Sequence, residues 1–199
     1  MDTLFPLETK LPPGFDYFPD FINRMEEEEI ISYTENIELS TFIFQGFEAK
    51  RKTASFGYDW NFENRKLSKG KEMPDVFKPL IEKAERHLSL AAGDFAELLL
   101  TEYPVDSVIN WHRDAPPFDL IVGISLLSDC IFRFRPYDKT KQGRNAIISL
   151  PVRRGSLYVI SREARTDWQH SILPVKQRRV SITLRTLGLD YKKRGQLAP

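Results

Sequence analysis

Arg179-Val180-Ser181-Ile182-Thr183-Leu184-Arg185 alternates without a break: every odd-numbered residue is polar and every even-numbered one is apolar. Successive side chains on a β-strand point to opposite faces, so a period of two marks a strand with one face on a core. The even face is that core. The odd face carries Arg179, Ser181, Thr183 and Arg185 into a polar interior. Along such a strand the two arginines stand roughly 20 Å apart. Each side chain can lean inward, which places the pair to grip the two ends of a short dianion. Arginine suits carboxylates because its planar fork donates two parallel hydrogen bonds. Arg178 has the opposite parity and points away. Taken alone, the same alternation also describes an edge strand with one solvated face.

Outward from this strand, the chain from residue 95 onward breaks into short strands at close intervals, the mark of a sandwich or barrel. They are expected over 95–103, 120–127, 130–135, 146–150, 156–160 and 179–186. Turn residues separate most of them: Asp106-Ser107, Pro116-Pro117, Ser128-Asp129, Lys141-Gln142-Gly143 and Arg154-Gly155. The first half reads differently. Residues 1–22, rich in Pro and aromatics, form an extended arm. Asn23 followed by Glu26 caps a helix over 24–36. Strands follow at 41–47 and 53–58, with Gly57 permitting a bulge. Residues 59–71 carry Trp60 and Phe62 without periodicity and read as a flexible loop. A second helix over 75–91 buries Phe77, Leu80, Ile81, Ala84 and Leu88, with Gly93 ending it. His87 on that helix reads as a packing or surface histidine. Helices followed by a run of strands argue one α+β domain, mainly β, whose core is a two-sheet jelly roll.

The bulk composition excludes several classes. At 199 residues the chain is long enough for one domain with a sizeable core. Its 41% hydrophobic and 29% charged content suits a globular protein rather than a disordered one. No apolar run approaches a bilayer span, and the first residues lack the basic start and apolar segment of a secretory signal. The expectation is therefore no membrane association. Cys130, the single cysteine, cannot pair internally; it fits a reducing cytosol and reads as a small core residue. A net charge of +1 gives no whole-molecule field for nucleic acid, yet positive charge clusters locally. The clusters are Lys50-Arg51-Lys52, residues 66–71, Arg133 with Arg135, Arg153-Arg154 and Lys192-Lys193-Arg194. A basic face on a neutral protein is compatible with binding phosphates, and equally with a solvated surface.

His112-x-Asp114 brings an imidazole and a carboxylate to one face of an extended strand. Alone, the dipeptide spacing also describes a surface pair at a strand end. His170, nine residues before Arg179, adds another imidazole just upstream of the arginine-bearing strand. Two histidines and one carboxylate leave metal positions open for a cosubstrate and oxygen, the ligand set of non-haem Fe(II) oxygenases.

Together, His112-x-Asp114, His170 and Arg179-x5-Arg185 resemble, in order and spacing, the Fe(II)/2-oxoglutarate dioxygenases of the AlkB type. The likeness is close over 95–187 and loose before that. It implies a double-stranded β-helix behind N-terminal helices and a nucleotide-recognition lid. The whole of 1–199 would be a single dioxygenase domain: 1–94 as arm, helices and lid, 95–187 as catalytic core, 188–199 as tail. Fe(II) would be held by His112, Asp114 and His170. 2-Oxoglutarate would be held by Arg179 and Tyr103 at its distal carboxylate, with Arg185 near the metal and Thr101 beside Tyr103. Thr101 stands where the family carries Asn, and Pro116 where it often carries an acidic residue. With O2 as the third reactant, the implied reaction is oxidative dealkylation of N-alkylated bases in DNA or RNA, releasing formaldehyde, succinate and CO2. Arg51, Phe56, Tyr58 and Trp60 in the lid, with Arg133 and Arg135, would meet the substrate. The expected partner is alkylated DNA or RNA, and the chain is expected to act as a cytoplasmic monomer. Two alternatives stay open: a hydroxylase or demethylase of a protein side chain or small molecule, and a non-catalytic jelly-roll binding domain.

Overall fold

In the computed structural model, which describes residues 11–44 and 47–195, the alternating stretch lies in the middle of a sheet. In chain order the elements begin with β1 (Phe15–Phe18), α1 (Arg24–Thr34), β2 (Ser40–Phe44), β3 (Phe47–Asn61), β4 (Lys66–Lys69) and α2 (Lys78–His87). There follow β5 (Phe95–Tyr103), β6 (Ile109–His112), β7 (Phe118–Leu126), β8 (Cys130–Pro136), β9 (Ile148–Val152) and β10 (Leu157–Ile160). The last are α3 (Arg162–Thr166), β11 (Trp168–Ile172), β12 (Arg179–Leu187) and α4 (Leu189–Gly195). Among the described residues, eight strands form a larger antiparallel sheet, β1-β10-β7-β12-β5-β3-β2 with β4 on β3. Four more form a smaller sheet, β6-β11-β8-β9. This is the mainly β double-stranded β-helix, or jelly roll, that the strand spacing leads one to expect. The arm over 1–10 and the end of the tail over 196–199 lie outside the described residues.

Two apolar clusters explain the alternation of β12. Val180, Ile182 and Leu184 pack with Leu98, Leu100, Ile124 and Leu126 against Ile30 of α1 and Leu80 and Ala84 of α2. Burying each such leucine or isoleucine stabilises by about 1.5–3 kcal/mol, so this face anchors β12 whatever the other carries. The odd face looks into the space between the sheets, walled by Phe118, Phe132, Phe134, Tyr158, Ile160 and Ile172. β12 is hydrogen-bonded on both sides, with Arg179 opposite Tyr103 of β5 and Ser181 opposite Ser125 of β7. It is not an edge strand. Gly123 lets the other wall close: it faces Tyr158, whose Cζ lies 2.0 Å from where a β-carbon would stand.

The capped helix forms as its sequence dictates. Asn23 accepts from the Glu26 amide at 3.0 Å while the Glu26 carboxylate accepts from the Asn23 amide at 2.8 Å, a reciprocal box. Glu27, next in line, is buried. It accepts from the Leu127 amide and from Arg154, tying α1 to the β7–β8 and β9–β10 turns. The second helix is shorter than its apolar spacing implies: a 3-10 turn at Asp75–Phe77 precedes α2, and Ser89 turns to positive φ just beyond it. His87 packs edge-on against Phe18 and Phe21, the structural role read for it.

Residues 59–71 are not a loop. β3 and β4 form a hairpin in which Tyr58 faces Lys69 and Trp60 faces Leu67, its turn closed by the Asn61 side chain accepting from the Glu63 and Asn64 amides. Most of these residues are half-buried or exposed, so no buried face imposes a period of two on the sequence. The tail also acquires structure, since α4 docks through an ion pair between Lys192 and Asp94. Among the described residues no helix is long and apolar enough to cross a membrane.

Candidate active site

His112 ends β6, opposite His170 on β11. The register slips between this pair and the next, Ile109 opposite Ile172, so a β-bulge separates Ile109 from His112. Bulges re-aim side chains. Here Ile109 and His112 both line the inter-sheet cavity, although strict alternation would set them on opposite faces. Asp114 has already left the strand. A simple i, i+2 pair on one strand is therefore not how the two ligands meet. Arg165 fixes the loop beyond Asp114 by donating to the Ala115 and Phe118 carbonyls, at 2.7 Å and 2.9 Å from one Nη.

The ligand atoms of His112, Asp114 and His170 all lie within 4.8 Å of one another. The His112 Nδ1 is 2.8 Å from the Asn110 carbonyl, which only accepts, so Nδ1 carries the proton and Nε2 keeps its lone pair. His170 is buried, and that burial, with His112 beside it, pushes its pKa down to about 3. It is neutral near pH 7, as a metal ligand must be. Burial would push the Asp114 carboxyl up, but the Arg185 guanidinium and the surrounding positive groups hold it well below the usual range. Its Oδ1 accepts from Arg185 Nη2 at 2.8 Å. Its Oδ2 is buried without a hydrogen bond and lies 3.5 Å from His170 Nε2. Two imidazole lone pairs and one unsatisfied carboxylate oxygen converging in a buried pocket suit a divalent cation.

The two arginines of β12 have different fates. Arg185 is paired twice within the protein, to Asp114 and, through Nη1 at 2.6 Å, to Glu97 of β5. It therefore does not grip the far end of a dianion. Arg179 is 0% exposed, and among the described residues it donates only from Nε to Ser125 Oγ at 3.0 Å and keeps Nη1 and Nη2 unpartnered. Its guanidinium lies 4.9 Å from the centre of the Tyr103 ring. A cation buried without an anion is among the costlier arrangements in a folded protein. It fits an anion-binding role in which the fork receives a carboxylate. Arg179 stands behind Tyr103 rather than on the cavity wall; Tyr103 and Thr101 form part of that wall. Arg178 is turned outward and pairs with Glu102.

The cavity has a volume of about 170 Å³, and Phe42, Arg51, Asp59, Trp60 and Phe62 contribute to its lining from the lid side. Of the lid residues singled out from sequence, Arg51 and Trp60 therefore reach it. Phe56 does not: it is buried against the helices. Tyr58 is half-buried against the inter-sheet cluster and is not among the residues lining the cavity. The two do not share a face because Gly57, at φ +84°, breaks the parity. β3 pairs with β5 up to Gly57 and with β4 from Tyr58 onward. Arg133 and Arg135 are also not at the mouth. Phe132 and Phe134 take the inward positions of β8, which leaves both arginines on the outer face, over Trp111.

Glu97 was not singled out from sequence. It is buried, accepts from Ser55 Oγ as well as Arg185, and burial pushes its pKa up against the pull of Arg185. Its one sequence signal is register. Once Tyr103 is set opposite Arg179, counting back along β5 brings Glu97 opposite Arg185.

Comparison with known proteins agrees with this geometry. A model of the 2OG-Fe(II) oxygenase superfamily matches residues 19–185. The chain is 33% identical over 132 residues to the RNA demethylase ALKBH5 of Mus musculus, covering 60% of this chain and 32% of that protein. It is 28% identical over 189 residues to the DNA oxidative demethylase ALKBH2 of Homo sapiens, covering 87% of this chain and 70% of that one. The solved structure of OsALKBH1 superposes with a TM-score of 0.68 at 14% identity, over 89% of this chain and 98% of that chain, a likeness of fold. The chain thus spans about a third of the length of the ALKBH5 relatives it matches.

Proposed function

The chain belongs to the 2OG-Fe(II) oxygenase superfamily, as an AlkB-like member, and from that we propose that it oxidatively removes alkyl groups from N-alkylated bases of DNA or RNA. The observation that carries the oxygenase part is the convergence of three ligand atoms in one cavity, with the buried Arg179 fork set against Tyr103 of the same cavity wall. The nucleic-acid part is supported by Arg51, Trp60 and Phe62 at the mouth, a cation and two ring faces for one base and its phosphate. Relatives described as RNA and DNA demethylases point the same way. A repair role, a cytoplasmic location and action as a single-domain monomer belong to the same proposal.

The donor set fits the metal and cosubstrate that the family name specifies. His112, Asp114 and His170 would hold Fe(II), and Arg179 with Tyr103 and Thr101 would hold 2-oxoglutarate. When bound, these supply the oxidation of a substrate C–H bond by O2, with 2-oxoglutarate leaving as succinate and CO2. The chain contributes orientation and charge. Asn110 fixes the His112 tautomer, Arg185 holds Asp114 ionised and aimed, and burial keeps His170 neutral. Phe118, Phe132 and Ile172 keep the cavity wall apolar and limit water around the reacting carbon. A hydroxylated N-methyl carbon then separates as formaldehyde, and the proton left behind restores the base amine.

The test compares formaldehyde and succinate released from a methylated single-stranded oligonucleotide and from a methylated peptide, each with Fe(II) and 2-oxoglutarate. Equimolar formaldehyde and succinate from the oligonucleotide alone is the expected result. Release from the peptide alone would move the substrate to protein, and succinate from neither would end the dealkylase reading.

A further inference from the structure

The outer face of the smaller sheet carries two arginines that do not line the cavity. Along β8 the odd-numbered residues point outward, so Arg133 and Arg135 stand about 6.6 Å apart, with Tyr137 next just beyond the strand end. Both guanidinium centres lie over the Trp111 ring, at 4.7 Å and 4.6 Å from its centroid. Each Nε is tied down across β11, Arg133 to Ser171 Oγ at 3.0 Å and Arg135 to Gln169 Oε1 at 2.8 Å. Neither Nη pair has a hydrogen-bond partner, and no carboxylate lies within ion-pair distance of Arg113, Arg133 or Arg135 among the described residues. Tyr137 is 49% exposed, and the Arg113 guanidinium lies 3.7 Å from its ring centre. Arg113 also lines the cavity, so the line of cations and rings reaches the mouth of the active site.

Free surface arginines sample many rotamers, and immobilising one on binding costs about 0.5–1.5 kcal/mol. Here the Nε anchors and the Trp111 ring have already fixed both side chains, and what remains free is the fork that matches a phosphate. Cations spaced along a track and interleaved with rings are how single-stranded nucleic acid is held without sequence preference. We propose that Arg133, Arg135, Arg113 and Tyr137, braced by Trp111, form a track for the phosphodiester backbone of the substrate strand beyond the base that enters the cavity. This rests on the nucleic-acid reading of the active site and extends it: affinity for the strand comes in part from outside the cavity, through backbone contacts that do not read the modified base.

The test uses the chain loaded with Mn(II) and 2-oxoglutarate and an unmodified, fluorescently labelled oligothymidylate, followed by anisotropy over a range of salt. Replacing two phosphate contacts in Arg133→Gln/Arg135→Gln should lower the slope of log K against log salt by about 1.4 and weaken binding about tenfold or more at low salt. Because those side chains are half-buried, Ser149→Glu is the companion variant. Ser149 is exposed on β9 opposite Arg133, so the new carboxylate neutralises the track without disturbing the packing. It should weaken the oligothymidylate while leaving formaldehyde release from a methylated trinucleotide unchanged. Wild-type affinity in either variant overturns the proposal, as does failure of the parent chain to bind the strand. So does equally tight binding of polyglutamate, which would mark the face as a site for acidic protein. Oligothymidylate carries no methyl group, so the binding result stands apart from the reaction. A chain that binds the strand through these residues yet releases no formaldehyde retains the track and loses the dealkylase reading.

Discussion

Replacing Arg179 by Met separates a ligand-binding arginine from a structural one. The side chain is 0% exposed and makes one hydrogen bond, to Ser125. If both free Nη groups receive the distal carboxylate of 2-oxoglutarate, two charge-assisted bonds of about 1.5–3 kcal/mol each are lost in Arg179→Met. At roughly 1.4 kcal/mol per tenfold, the dissociation constant should rise about 10²- to 10⁴-fold. Ligand-free stability should move the other way or not at all, because Met fills similar volume without a buried, unpaired charge. Thermal unfolding with Mn(II) reads both effects. At 2-oxoglutarate one hundred times its dissociation constant, the parent gains about 2.7 kcal/mol. For a chain of this size that is a rise of about 5–11 °C, and Arg179→Met should show almost none of it. A variant that unfolds several degrees earlier without ligand yet keeps the full ligand-induced rise would refute the assignment and make Arg179 a structural residue.

Asp114→Ala removes the carboxylate of the cluster and should abolish both Mn(II) binding and succinate formation; near-normal turnover would take Asp114 off the metal. Trp60→Ala should raise KM for a methylated strand about 5- to 150-fold through the loss of about 1–3 kcal/mol of base stacking, read from formaldehyde release. Phe56→Ala, a core truncation, should instead destabilise by about 3–5 kcal/mol and leave that KM alone. The reverse pattern would return Phe56 to the substrate site. Gly123→Ala sets a β-carbon 2.0 Å from Tyr158 Cζ and should destabilise by about 1–3 kcal/mol, measured by denaturant unfolding.

Why some of this was legible in the sequence and some was not follows from what each residue faces. β12 could be read because one side packs on α1 and α2 while the other carries arginines whose partners are Ser125, Glu97 and Asp114, so apolar and polar positions alternate strictly. The capping box was equally local, three residues apart and self-contained. The hairpin of β3 and β4 escaped detection because neither face is fully buried, and a strand without a core face leaves no alternation. Phe56 and Tyr58, two apart and both expected to meet the substrate, part at Gly57, whose positive φ reverses the parity; the glycine marks an irregularity in the sequence but not its direction. The bulge before His112 is of the same kind. The ligands could be named from their types and order, but the register slip that aims them is a property of two strands together.

Glu97 shows the same limit and carries a consequence. Arg179 and Arg185 share a strand and a parity, yet only Arg185 faces carboxylates, Glu97 and Asp114, each on a different Nη. In the proposed reaction, that division leaves one arginine to organise the metal ligands and the other to receive the cosubstrate. Glu97 then sets how strongly Arg185 pulls on Asp114. In Glu97→Gln the side chain still accepts a hydrogen bond, but the guanidinium is left with one anion instead of two and draws charge from the Asp114 carboxylate. Outer partners of this sort typically change metal affinity 10- to 100-fold, so Mn(II) should bind about tenfold more weakly. At saturating Mn(II), the affinity for 2-oxoglutarate should be nearly unchanged, because Arg179 is untouched. Calorimetric titration of each ligand in turn distinguishes the outcomes. Loss of 2-oxoglutarate affinity with metal affinity intact would mean that Arg185, not Arg179, answers to the cosubstrate, and the division of labour along β12 would have to be reversed.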